Sequence, residues 1–70
     1  MKFAERLKEA RIFKNFSVKQ LAKLLVVTER TINYWEKGER ECSLEMLLKI
    51  SAILDISIDY LLGNDNFKII

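Results

Sequence analysis

The chain has no proline and no histidine, and only one cysteine and two glycines in 70 residues. A single thiol excludes an intramolecular disulfide, and without imidazole the familiar zinc patterns are missing, so neither metal nor cofactor is expected. The commonest general base is absent too, and no nucleophile pairs visibly with another base, which argues against an enzyme. No apolar run is long enough to cross a bilayer, and the opening MKFAERLKEA is charged and amphipathic, unlike a signal peptide. A free thiol suits a reducing compartment, so the expected location is cytoplasmic, with no membrane partner.

Half of the residues are hydrophobic and no proline interrupts them, so the expected fold class is all-α. Ser17, Thr28, Ser43 and Ser57 stand where helix N-caps belong. Gln20 completes a capping box with Ser17. Phe16 with Leu21, Val27 with Ile32, and Ile56 with Leu61 have the spacing of hydrophobic staples. Asn15, Gly38 and Gly63 stand at helix ends, where left-handed backbone is common. These signals predict five short helices, Phe3–Phe13, 18–25, 29–37, 44–54 and 58–62, forming one compact bundle. Apolar spacing assigns Phe3, Leu7 and Ala10, then Leu21, Leu24 and Leu25, then Leu44, Leu47, Leu48 and Leu54 to inward faces.

Charge is distributed unevenly. Residues 1–40 carry ten Lys/Arg against five Asp/Glu, a net +5, whereas residues 41–70 carry two against five, a net −3. A basic front half suits a polyanionic partner. Only Val26, Val27 and Thr28 join the second and third predicted helices, and so short a turn forces a steep crossing. At about 100° per residue, Glu29, Arg30, Asn33, Tyr34 and Lys37 share one arc of roughly 140° on the third helix. Ile32 and Trp35 fall on the opposite side.

Several linked motifs carry a resemblance: RLKEAR, then S-x-x-x-LA-x-L-L, Val27-Thr28, Thr31-Ile32, Tyr34-Trp35-Glu36-Lys37-Gly38, and SLEMLLKISAILDISIDYLLG. From about Phe3 to Gly63 the chain resembles the lambda-repressor-like helix-turn-helix family, the Cro/repressor or Xre type of phage and bacterial regulators. The resemblance implies a five-helix DNA-binding domain over residues 1–64, followed by an apolar tail at 65–70. It places base reading on Glu29, Arg30, Asn33 and Tyr34. It places phosphate contacts on Ser17, Lys19, Thr28 and Thr31, with Lys37 and Arg40 flanking. Arg11 and Glu36 are expected to form a structural ion pair. Within this scheme Arg30 suits guanine, Asn33 adenine, and Tyr34 a thymine methyl, while Glu29 suits both the helix dipole and a cytosine amino group.

Three positions depart from the family pattern. Val18 replaces a glutamine that hydrogen-bonds phosphate, leaving that anchor absent or supplied by Lys19. Val26 replaces the turn glycine, so the turn must use ordinary dihedrals or bear strain. Cys42 replaces a proline and is expected to serve as a small apolar staple beside Ser43.

The back half is more apolar than one small core can absorb. The resemblance implies a homodimer through helix five and its neighbours, which assigns Ile56, Ile58, Tyr60, Leu61, Phe67 and Ile69 to the interface. Ile12 and Phe13, unusually apolar for the end of the first helix, are expected to add to a contact. Such a dimer would read near-palindromic double-stranded DNA as a transcriptional regulator, expected to be a repressor. No sensor domain is visible, so control is expected from protein level, an antirepressor or another partner. Two alternatives stand beside this reading: an antitoxin whose C-terminal half binds a toxin, and a restriction–modification controller.

Overall fold

Four hydroxyl side chains start four of the five helices in the computed structural model, which describes residues 2–64. Phe67 and Ile69, assigned above to a partner surface, lie outside the described residues. The helices are α1 (Phe3–Phe13), α2 (Val18–Leu25), α3 (Glu29–Glu36), α4 (Leu44–Leu54) and α5 (Ile58–Leu62). Ser17 and Gln20 close the expected capping box: Gln20 N–H donates to Ser17 Oγ at 3.0 Å, and Ser17 N–H donates to Gln20 Oε1 at 2.8 Å. Thr28, Ser43 and Ser57 each accept from the amide three residues on.

Each helix ends by the same device. Phe16, Val27, Glu39, Ile56 and Asn64 donate their amides to the carbonyls of Arg11, Ala22, Tyr34, Ser51 and Asp59, five residues back. This bond needs left-handed backbone at the preceding residue, and Asn15, Val26, Gly38, Asp55 and Gly63 all have positive φ. The sequence signals mark three of the five. Asp55, at φ 54°, was not among them, and Val26 resolves its two options by bearing strain at φ 58° and ψ 47°. Helix α3 ends at Glu36, one residue short of the expected boundary, with Lys37 as its cap.

The core gathers Phe3, Leu7 and Ala10 from α1, Leu21, Ala22 and Leu25 from α2, and Ile32 and Trp35 from α3. Leu47, Ile50 and Leu54 from α4 and Leu61 from α5 complete it. Helix α1 packs on α3 and α5, α2 on α3 and α4, and α4 on α5. Leu24, Leu44 and Leu48, expected inside, are instead exposed. Once Leu21, Ala22 and Leu25 define the buried side of α2, Leu24 stands roughly 110° from its centre. Ile50, which the apolar spacing passed over, takes the inward place on α4 that Leu44 and Leu48 leave. Cys42 and Leu47 occupy the staple positions around Ser43, with Cys42 half-buried against the core as expected.

Candidate nucleic-acid interface

Helix α3 is held to the bundle by its apolar side and by its end, and is capped at its start. Ile32 is fully buried and Trp35 is 5% exposed, so the apolar side is locked into the bundle. At its start, Thr28 Oγ1 accepts from Thr31 N–H at 3.1 Å and lies 2.9 Å from Thr31 Oγ1. At its end, Glu36 receives two hydrogen bonds from Arg11, Nε to Oε2 at 2.6 Å and Nη2 to Oε1 at 3.2 Å. Arg11 also donates through Nη1 to the Phe16 carbonyl at 2.9 Å. One guanidinium therefore ties α1, the α1–α2 loop and the end of α3. The side chains of this pair are only 11% and 7% exposed, so solvent screens it little.

The opposite side faces solvent. Glu29, Arg30, Asn33 and Lys37 are exposed, and Tyr34 is half-buried. Tyr34 has a neighbour that sequence spacing did not indicate: the Arg40 guanidinium carbon lies 4.7 Å from its ring centroid. This brings together one acid, three cationic donors, a side-chain amide and a phenol on, or just beyond, a rigidly backed helix of eight residues. The groups have the hydrogen-bonding capacity to address base edges in a major groove.

The expected phosphate-contact residues lie at the helix ends beside this side. Ser17, Lys19, Thr28, Lys37 and Arg40 are exposed, and Thr31 is half-buried. The capping box already engages the Ser17 amide, so any anion at that end would rely on first-turn amides further along α2 and on Lys19. Val18 turns against the core and offers no polar group.

The proposed partner surface is divided. Leu61 is fully buried in its own core and cannot lend its side chain to a partner; the structure corrects that expectation. Ile56 and Ile58 are half-buried against the same core. Tyr60 is 37% exposed and tied to α1: Arg6 lies 4.3 Å from its ring centroid and donates to its carbonyl at 3.0 Å. Beside it, Glu9, Ala10, Phe13, Ile56 and Tyr60 line an open groove whose rim includes the 78% exposed Phe13. Glu9 and Ala10 gave no sequence signal for this surface, because their part in it arises from the packing of α1 on α5.

Burial is the main influence on the Cys42 thiol and raises its pKa; a backbone hydrogen bond opposes the rise and Glu41 adds to it. Among the described residues, no group of His, Cys, Asp or Glu could hold a metal ion, and no helix is long and apolar enough to cross a membrane.

Comparison with known proteins places this geometry among relatives. A family model described as helix-turn-helix matches residues 7–61. The chain is 40% identical over 68 residues to the uncharacterized HTH-type transcriptional regulator YqaE of Bacillus subtilis, covering 96% of this chain and 59% of that protein. The restriction-modification controller protein C.AhdI from Aeromonas hydrophila matches with a TM-score of 0.78 at 37% identity, over 86% of this chain and 91% of that one. The biofilm master regulator SinR, solved in complex with DNA, matches with a TM-score of 0.79 at 31% identity, over 86% and 97% of the two chains. The chain spans between 51% and 59% of three Bacillus subtilis regulators that it matches.

Proposed function

The chain belongs to the helix-turn-helix family, and on that premise we propose that it binds double-stranded DNA as a transcriptional regulator. One observation carries the reading: the polar arc of α3 faces outward while Ile32 and Trp35 lock the helix from behind. Glu29, Arg30, Asn33 and Tyr34 read bases in the major groove. Ser17, Lys19, Thr28, Thr31, Lys37 and Arg40 hold phosphates. The unit acts over residues 1–64, in the cytoplasm, and the reading assigns it no catalytic step.

The regulator acts as a homodimer and represses. Exposed Tyr60 and Phe13, with half-buried Ile56 and Ile58, provide the apolar surface for a second copy. Two copies of α3 then meet major-groove faces about 34 Å apart on a near-palindrome. A restriction–modification controller is a second reading, favoured by the alignment with 91% of C.AhdI. The antitoxin alternative needs a toxin partner, and an antirepressor is a further regulatory partner that the main reading accommodates.

Light scattering and a salt-titrated DNA mobility shift test the main reading. A dimer that binds duplex with a steep salt dependence is expected. A monomer without duplex binding at low salt, purified together with another protein, would overturn it. Arg30→Ala is expected to relax preference at one base pair by about 1–3 kcal/mol, whereas Lys37→Ala weakens all sequences alike. Equal sequence-independent losses for both would refute the division between reading and holding.

A further inference from the structure

We propose that Arg40 is a positioning residue for Tyr34, making the phosphate grip beyond α3 and the base preference at Tyr34 properties of one stacked unit. This rests on the DNA-binding reading of α3 and goes beyond treating Arg40 as an independent phosphate contact. Its origin is the turn that closes α3. Gly38, at φ 75°, reverses the chain, and Glu39 N–H donates to the Tyr34 carbonyl at 2.9 Å. The reversal brings residue 40 beside residue 34, and the Arg40 guanidinium carbon reaches 4.7 Å from the ring centroid, within the range of a cation–π contact.

The second arginine–tyrosine contact shows what differs here. Arg6 also lies over Tyr60, but its guanidinium donates to a backbone carbonyl and helps join α1 to α5. Among the described residues Arg40 has the Tyr34 ring as its contact and no ion pair. Its in-plane N–H donors therefore stay available to a phosphate while the cation restrains the ring. Tyr34 is half-buried on an otherwise exposed arc, and this restraint limits the directions in which its hydroxyl and ring edge meet a base. A lysine at position 40 keeps the charge and the phosphate contact but lacks the planar group that stacks on the ring.

The full chain is first used to select a preferred site from random duplexes. Affinities for that site and its single-base variants are then measured against salt for wild type, Arg40→Lys, Tyr34→Leu and the double variant. Arg40→Lys is expected to keep the salt slope while losing about two- to fivefold of discrimination at one base pair, the scale of an exposed cation–π contact. In the Tyr34→Leu background the same change is expected to remove no further discrimination there. Unaltered discrimination in Arg40→Lys, or equal loss with and without Tyr34, would overturn the positioning role while leaving DNA reading intact. If wild type selects no duplex, the DNA reading fails first and takes this role with it. Proton NMR of the free protein supplies a DNA-independent arm. The Arg40 δ protons should be ring-current shifted in wild type and not in Tyr34→Leu; identical positions in both would also overturn the stack.

Discussion

Replacing Val26 by glycine is expected to stabilise the protein by about 1 kcal/mol. Left-handed backbone costs an L-residue about 1–2 kcal/mol, and β-branching places valine toward the upper end. Its side chain recovers little of that cost by packing, because Val26 is 88% exposed. Glycine removes the strain and keeps the 3.0 Å bond from Val27 N–H to the Ala22 carbonyl. Its greater freedom in the unfolded chain subtracts about 0.5–1 kcal/mol, leaving a net gain near the stated figure. In a domain of this size, 1 kcal/mol moves the melting temperature by roughly 4–8 °C. Far-UV circular dichroism melts of wild type, Val26→Gly and Val26→Asn measure the effect. Both variants should melt higher, since asparagine tolerates left-handed backbone with less unfolded freedom than glycine. If both melt at or below wild type, the strain argument is wrong.

The same substitution tests what fixes α3. The buried Ile32 and Trp35 and the Arg11–Glu36 pair hold α3 independently of the side chain at position 26. Relaxing the turn should therefore leave DNA affinity within about twofold, an energy difference of about 0.4 kcal/mol. A higher melting temperature with a sharp loss of binding would assign the turn strain a part in setting α3, contrary to this anchoring argument.

Glu36→Ala should cost about 3 kcal/mol in urea unfolding, because it leaves the Arg11 guanidinium unpaired in a largely enclosed site. A loss below about 1 kcal/mol would mean that water screens the pair as it does at a surface. Leu61→Ala should destabilise the monomer by about 3 kcal/mol through a core cavity, whereas Tyr60→Ala should weaken the proposed dimer more than the fold. Unfolding titrations and concentration-dependent light scattering separate these outcomes, and a loss of dimer without destabilisation in Leu61→Ala would contradict its burial. Folding favours the protonated Cys42 thiol, because burial chiefly raises its pKa. That stabilisation is complete below the unfolded thiol's pKa and is lost as pH rises through the folded one. The midpoint of alkylation rate against pH should therefore lie higher in native than in urea-unfolded protein; coincident curves would refute the shift.

The parts of the fold that follow local rules were legible. A hydroxyl cap, its first-turn partner and a staple lie within a few residues, so four helix starts could be placed from sequence. The outward side of α3 was legible too, because Ile32 and Trp35 are its apolar anchors among polar neighbours. Helix α4 offers no such contrast: eight of its eleven residues are apolar, so neighbouring helices decide which are inside. Helix α5 has only five residues, four of them apolar or aromatic, and no full periodicity by which to distinguish buried Leu61 from exposed Tyr60. Arg40 meeting Tyr34 depends on the path of the turn after Gly38, which side-chain spacing along a helix does not describe.

The alternation on α3 has an energetic consequence. Ile32, Trp35 and Glu36 fix the helix, whereas Glu29, Arg30, Asn33 and Lys37 make few contacts with the rest of the fold. Substitutions on the exposed arc should therefore alter the surface offered to a ligand while changing stability by about 0.5 kcal/mol or less. Tyr34 is the intermediate case because its half-buried ring meets Arg40. A helix organised in this way can change its outward chemistry without rebuilding its support. Val26 lies outside that support: its strain closes α2, while the side contacts of α3 retain the orientation needed for the exposed groups.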